Sequence, residues 1–175
     1  MAEVLEALPG ARRALFRRYH IGGCSSCGFS PTETLAKLCA RNDNLDVNEV
    51  MAHLQESHNA DQRQLMAPSE VASAVRDNPA ARLLDIRSRE EWETAHIDGA
   101  HRLTQDSLQE IMGHWPKGDL LIICDHTGTG ALDAAAYFQG HGFSNVRCLD
   151  GGVDAWARDI DPTMKRYRLD SPTTP

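Results

Sequence analysis

Apolar residues recur along this chain with two different rhythms. In the first third the spacing is helical: Val4, Leu5 and Leu8, then Leu15, Phe16 and Tyr19, fall near the helical repeat on either side of a Pro9-Gly10 break. Pro31-Thr32-Glu33 predicts the opening of another helix, with Ser30 as N-cap, Pro31 in the first turn, Glu33 at the third position, and Leu35, Leu38 and Cys39 on the apolar side. A further helix is predicted from near Asp46, where Val47, Val50, Met51 and Leu54 repeat at three and four. Between the first and second helical stretches lies Gly22-Gly23-Cys24-Ser25-Ser26-Cys27-Gly28, read as a tight loop. These signals predict a small all-helical unit over residues 1–58, followed by a polar linker over residues 59–66.

From residue 67 the rhythm alternates. Ser69 to Val75 reads as helix, Arg82 to Ile86 as a buried strand and Arg89 to Thr94 as a short helix. Leu120 to Cys124 is a second apolar strand, Ala131 to Gly140 an Ala-rich helix, Val146 to Leu149 a third strand, and Val153 to Ala157 the start of another helix. Strands alternating with helices predict an α/β domain over residues 67–161, with a mainly parallel sheet flanked by helices. In such sheets the active site lies beyond the carboxyl ends of the strands. Residues 162–175 read as a tail, unstructured over its Ser171-to-Pro175 end.

Charge and cysteine content narrow the function classes. Eighteen Lys and Arg against 25 Asp and Glu leave a formal charge of −7, which argues against a nucleic-acid partner. The longest apolar run, Leu120 to Cys124, is strand-length, far short of the roughly 20 residues needed to cross a bilayer. The basic cluster Arg12, Arg13, Arg17 and Arg18 reads as a solvated helix face, with a membrane-surface or partner-docking role as the alternative. The five cysteines are an odd number without an export signal, which predicts a cytoplasmic protein with reactive or buried thiols rather than a disulfide framework.

Cys124 follows the apolar run Leu120-Leu121-Ile122-Ile123 directly and precedes Asp125-His126-Thr127-Gly128-Thr129-Gly130, which leads into a helix. A strand, a small-residue loop and a helix N-terminus form a device for holding a thiolate. Loop N–H groups turn toward the sulfur, and the helix end favours an anion. Both predict a thiol pKa lowered from its usual value near 8.5. The alternative from position alone is a buried cysteine filling a strand end.

The surrounding residues resemble a known family. Leu84-Asp85-Ile86-Arg87, the Glu91-Trp92 pair and His96-Ile97-Asp98-Gly99-Ala100 resemble the first rhodanese signature, and Leu149-Asp150-Gly151-Gly152-Val153-Asp154-Ala155-Trp156 resembles the second. Cys124 lies between them at a strand end, where the family places its nucleophile, and the resemblance spans roughly residues 63 to 161. It implies a rhodanese-like fold and a sulfurtransferase. Cys124 would attack the outer sulfur of a small sulfane-sulfur donor such as thiosulfate, carry it as a persulfide and pass it to a thiol or protein-thiol acceptor. The loop from Asp125 to Gly130 would bind substrate, Asp85 and Arg87 would support it, and no metal or other cofactor is expected. Asp85, Arg87 and Glu91 also read as an ion-paired corner that fixes a strand end, His96 and Trp156 as fold residues, and Cys148 as packing.

The loop departs from the family pattern. Rhodanese loops commonly place Gly three residues after the cysteine and often Arg at five. Here Gly128 stands at four, Thr129 at five and Gly130 at six, as if the loop were one residue longer. A longer loop occurs in phosphatase relatives of the fold, but those carry an oxyanion-gripping Arg where this chain has Gly130. The absence of Lys or Arg between Asp125 and Gly130 also weakens the case for thiosulfate as natural donor, although His126 offers a donor.

In the helical unit, Cys24-Ser25-Ser26-Cys27 is a C-x-x-C motif, shared by redox pairs, zinc sites and iron–sulfur sites. With Thr34-Leu35, Leu45-Asp46-Val47 and Val50 to Leu54, it resembles the hybrid-cluster-protein-associated redox disulfide family over about residues 3 to 57. The resemblance implies a reversible Cys24–Cys27 disulfide, or thiols that relay sulfur or electrons. The alternatives are a metal site drawing on His20, Cys24, Cys27 and Cys39, or thiols without chemistry. A thiol-disulfide redox protein and a non-catalytic rhodanese-like binding module are the rival functions. The helical arm is compatible with a homodimer.

Overall fold

The computed structural model of the protein describes residues 1–22, 28–128 and 130–167. The chain divides between Arg63 and Gln64 into two compact units.

The first unit is helical: α1 (Ala2–Ala7), α2 (Ala11–Tyr19), α3 (Leu35–Arg41) and α4 (Val47–Gln62). Leu15, Ile21, Leu38, Cys39, Val50 and Leu54 are buried together as its core. Asp46 caps α4, its carboxylate accepting from Asn48 N at 2.7 Å and Glu49 N at 3.0 Å. The helix predicted from Ser30 starts later. Thr34 is the N-cap of α3 and accepts from Lys37 N at 3.2 Å. Ser30 is instead engaged in a turn, its carbonyl accepting from Glu33 N, while Glu33 pairs with Arg41 at 2.7 Å. The predicted linker is also corrected, because α4 runs through Gln62. Its final turn is held by charge rather than by apolar contact: Asp61, 9% exposed, pairs with Arg13 at 2.6 Å.

The second unit comprises β1 (Leu65–Met66), α5 (Pro68–Asp77), β2 (Arg82–Asp85), α6 (Arg89–Thr94), β3 (His101–Arg102), α7 (Gln105–His114), β4 (Leu121–Cys124), α8 (Ala131–Gly140), β5 (Val146–Leu149) and α9 (Gly152–Asp159). The strands form one sheet of order β1-β5-β4-β2-β3, every neighbouring pair parallel. Side chains alternate between its faces. Leu84, Leu121, Ile123 and Cys148 pack with Ile111 of α7 and Phe138 of α8. On the opposite face Leu83, Ile122, Cys124 and Leu149 pack with Val71 of α5 and Val153 of α9. The α/β class with a parallel sheet therefore holds, and Cys148 is a packing residue on the face away from Cys124.

Strand ends differ from expectation by one residue: β2 stops at Asp85 and β4 begins at Leu121. The chain assigned to a tail stays engaged beyond α9: Met164 packs against the core and Arg166 pairs with Asp154 at 2.8 Å. The Ser171-to-Pro175 end lies outside the described residues. No helix among the described residues is long and apolar enough to cross a membrane.

Candidate active site

β4 is the central strand, bonded to β2 on one side and β5 on the other. Its last residue, Cys124, is registered against Asp85, the last residue of β2, and its carbonyl accepts from Ile86 N at 3.0 Å. Strand pairing thus brings the candidate nucleophile beside the end of the first signature, with Cys124 itself 0% exposed.

Asp85 and Arg87 form the corner expected from the sequence. Arg87 donates from Nε to both Asp85 carboxylate oxygens, at 2.9 and 3.0 Å, and from Nη2 to Oδ2 at 2.5 Å. The two side chains are 0% and 1% exposed, so the charges are deeply desolvated and survive by satisfying each other. Arg87 Nη2 also donates to the Ala95 carbonyl at 2.8 Å, tying the end of α6 to the strand end. Its Nη1 donates to the Tyr167 hydroxyl at 2.7 Å, and that hydroxyl donates to Glu91 at 3.3 Å. Burial, with the Glu91 charge adding, pushes the Tyr167 phenol up and keeps it protonated.

The loop after Cys124 folds back on its own first residue. The Asp125 carboxylate accepts from Gly128 N through Oδ1 and from Gly130 N at 2.6 Å through Oδ2. From the other side, the N-terminus of α9 grips the loop backbone, with Val153 N donating to the Asp125 carbonyl at 2.8 Å and Asp154 N to that of His126 at 3.1 Å. The paired glycines of the second signature permit this approach. Gly152 has φ +61°, and a β-carbon there would lie 2.5 Å from the Asp125 carbonyl oxygen. Gly128 has φ +91° and packs so closely on the turn after β5 that a β-carbon would lie 3.0 Å from Gly151 N.

His126 lies against Tyr167, ring centroids 4.6 Å apart, and its buried Nδ1 has no hydrogen-bond partner among the described residues. Thr127 is exposed and Thr129 lies outside the described residues. His96 stacks on Trp92 at 4.2 Å, and its Nδ1 donates to the Trp92 carbonyl at 3.0 Å, a local role in ending α6. Trp156 packs against the core that contains Cys124.

The electrostatics correct one expectation. Burial pushes the Cys124 thiol well above its usual pKa. Asp85 and Asp125 push the same way, and Arg87 opposes them. The loop N–H groups expected to favour a thiolate are occupied by Asp125, which brings a negative charge into the site. In the helical unit, Cys39 is buried in the core and its thiol is likewise pushed up, by burial and by Asp46. Cys24 and Cys27 lie outside the described residues. Among those described, no three His, Cys, Asp or Glu side chains cluster as a metal site.

Tyr167 is the site residue that sequence reading missed. Its only signal was an aromatic ring in a polar stretch, and its partner Arg87 is 80 residues away.

Comparison with known proteins supplies the remaining findings. The family model described as Rhodanese-like domain matches residues 67–159. The chain is 36% identical over 85 residues to the thiosulfate sulfurtransferase GlpE of Ectopseudomonas mendocina (strain ymp), covering 49% of this chain and 77% of that protein. It is 35% identical over 104 residues to the thiosulfate sulfurtransferase GlpE of Pseudomonas aeruginosa (strain LESB58), covering 59% of this chain and 91% of that one. The solution structure of the rhodanese-like domain of an Anabaena protein is similar at a TM-score of 0.50 and 20% identity, covering 63% of this chain and 90% of that one, a likeness of fold.

Proposed function

The chain belongs to the rhodanese-like domain family, and on that premise we propose that it is a sulfurtransferase that carries sulfane sulfur as a persulfide on Cys124 and passes it to a thiol. With thiosulfate, the Cys124 thiolate attacks the outer sulfur, the S–S bond to the sulfonate breaks and sulfite leaves with the electron pair. An acceptor thiolate then attacks the terminal sulfur of the persulfide and regenerates the Cys124 thiolate. The observation that carries this reading is the loop that follows Cys124, where two backbone N–H groups converge on one anionic carboxylate. These N–H groups are the loop's anion donors, and a persulfide or a donor anion would reach them by displacing the Asp125 carboxylate. Curated relatives named thiosulfate sulfurtransferase support the same class of reaction.

Asp85 and Arg87 support the site from beneath as a fixed corner. The helical unit we read as a thiol-bearing accessory domain, on its C-x-x-C motif and its resemblance to the redox disulfide family. We place the protein in the cytoplasm, with a small donor and a thiol acceptor as its partners.

Intact-mass measurement after incubation with thiosulfate or a hydropersulfide tests the reading. One sulfur should add to the wild-type chain and none to Cys124→Ser. No adduct from either donor would overturn it. The complete burial of Cys124 and its raised thiol pKa favour a second reading, a non-catalytic binding module, which that negative result would support.

A further inference from the structure

The loop beyond Cys124 offers its inward-turned N–H groups at Gly128 and Gly130, and both already donate to the same side chain. Asp125 is thus an anion resident in the loop's own anion cradle. The residue is anchored, since its carbonyl accepts from Val153 N at 2.8 Å, so the carboxylate can leave the cradle only by turning about its side-chain bonds. The fit is close: a β-carbon at Gly130 would lie 3.0 Å from Asp125 Oδ2. No Lys or Arg occurs from Asp125 to Gly130 to offset the charge.

An arriving donor meets this arrangement differently according to its charge. Thiosulfate brings a sulfonate whose oxygens need the same N–H groups, so it must displace the carboxylate or lie beside it. Either route is costly where like charges meet in a half-buried loop. A hydropersulfide, R–S–S–H, has no oxyanion to seat, and its protonated form, which is the electrophile in the transfer, is uncharged. Its transfer balances without the cradle receiving a second charge: Cys124–S⁻ + R–S–S–H gives Cys124–S–S–H + R–S⁻. The S–S bond of the donor breaks, a new S–S bond forms on Cys124, and the thiolate leaves with the electron pair.

We propose that Asp125 is a specificity-determining residue whose carboxylate, seated on the Gly128 and Gly130 N–H groups, turns the site away from oxyanion donors such as thiosulfate and toward hydropersulfides. This rests on the sulfurtransferase reading of Cys124. The negative influence of Asp125 on the Cys124 thiol points the same way.

The test uses the full chain and two pairs of reagents. Alkylation at Cys124, read by peptide mass, is timed with anionic iodoacetate and uncharged iodoacetamide. Sulfur loading, read by intact mass, is timed with thiosulfate and an alkyl hydropersulfide of uncharged side group. In Asp125→Asn, which keeps the size and one acceptor oxygen, the iodoacetate-to-iodoacetamide ratio should rise about tenfold, and the thiosulfate-to-hydropersulfide ratio by a similar factor. Ratios that stay at the wild-type values while sulfur still loads would overturn the proposal and leave the sulfurtransferase reading standing, with Asp125 a mere brace of the loop. A raised alkylation ratio with no sulfur loaded from either donor would overturn the reading itself, and the donor preference with it. Should Asp125→Asn fail to fold, the wild-type alkylation ratio at Cys124 is compared with that of the same cysteine in the urea-unfolded chain. The native ratio should be about tenfold lower, and an equal or higher one would overturn the proposal.

Discussion

Gly152 lies so close to Asp125 that a β-carbon on it would stand 2.5 Å from the Asp125 carbonyl oxygen. The contact joins the start of α9 to the residue that follows the nucleophile. Gly152→Ala should therefore both strain a left-handed position, at about 1 kcal/mol, and push the loop away. We expect a total loss of at least about 2 kcal/mol in urea unfolding. Faster iodoacetamide labelling of Cys124 should accompany it, and unchanged labelling would mean that the loop absorbs the methyl without moving.

Breaking the Asp85–Arg87 pair leaves a charge with no water to take its place. Arg87→Ala should cost about 3–5 kcal/mol by chemical denaturation. The double variant Asp85→Asn/Arg87→Met should recover part of that loss, since it buries no unpaired charge. A cost below about 1 kcal/mol for the single variant would mean that solvent reaches the corner.

The thiol of Cys124 gives stability a dependence on alkaline pH. Its folded pKa is raised above the unfolded value of about 8.5, so the folded state keeps a proton that the unfolded chain releases. Its contribution is fully present below about pH 8.5 and is lost as pH climbs toward the folded pKa, at up to about 1.4 kcal/mol per pH unit. Urea midpoints measured from pH 7 to 10 should fall, and fall less steeply in Cys124→Ala. Cys39, shifted in the same direction, contributes to the residual slope.

Tyr167→Phe removes one hydroxyl that accepts from Arg87 and donates to Glu91. The expected cost is about 1–2 kcal/mol, because the Arg87 donor is left without its partner in a partly buried place. Hydrogen exchange should rise in α6 and in the segment beyond α9, while β4 stays protected.

The helices and strands legible in the sequence were those whose apolar residues carry the burial. β4 is a continuous apolar stretch buried throughout, and β2 and β5 are mostly buried with Leu83, Leu84, Val146, Cys148 and Leu149 as their apolar residues. β1 and β3 have two residues each, too few to make a pattern. α7 does carry a helical period, Leu108, Ile111, Met112 and Trp115, which pack on the core and which sequence reading passed over. The end of α4, held by Asp61 and Arg13, offers hydrophobic periodicity nothing to register. The site divides in the same way. Cys124, its loop and the Asp85–Arg87 corner were legible because strand ends and signatures are local. The grip of Asp125 on Gly128 and Gly130 depends on how the loop curls, and the complete burial of Cys124, with Asp85 and Asp125 adding to it, reverses the expected direction of the thiol pKa. Tyr167 was hidden by the length of chain between it and Arg87.

The pairing of β1 with β5 has a consequence in time. Leu65 and Met66 find their partners only in Cys148 and Leu149, and β5 is also the neighbour that completes one side of β4. A ribosome therefore releases the strand bearing Cys124 well before the strand that encloses it. Sheets closed by such distant partners form late and slowly, whereas the helical unit needs nothing beyond Arg63 to close its own core. Leu149, Val153, Trp156 and Met164, which help bury Cys124, are all synthesised after it.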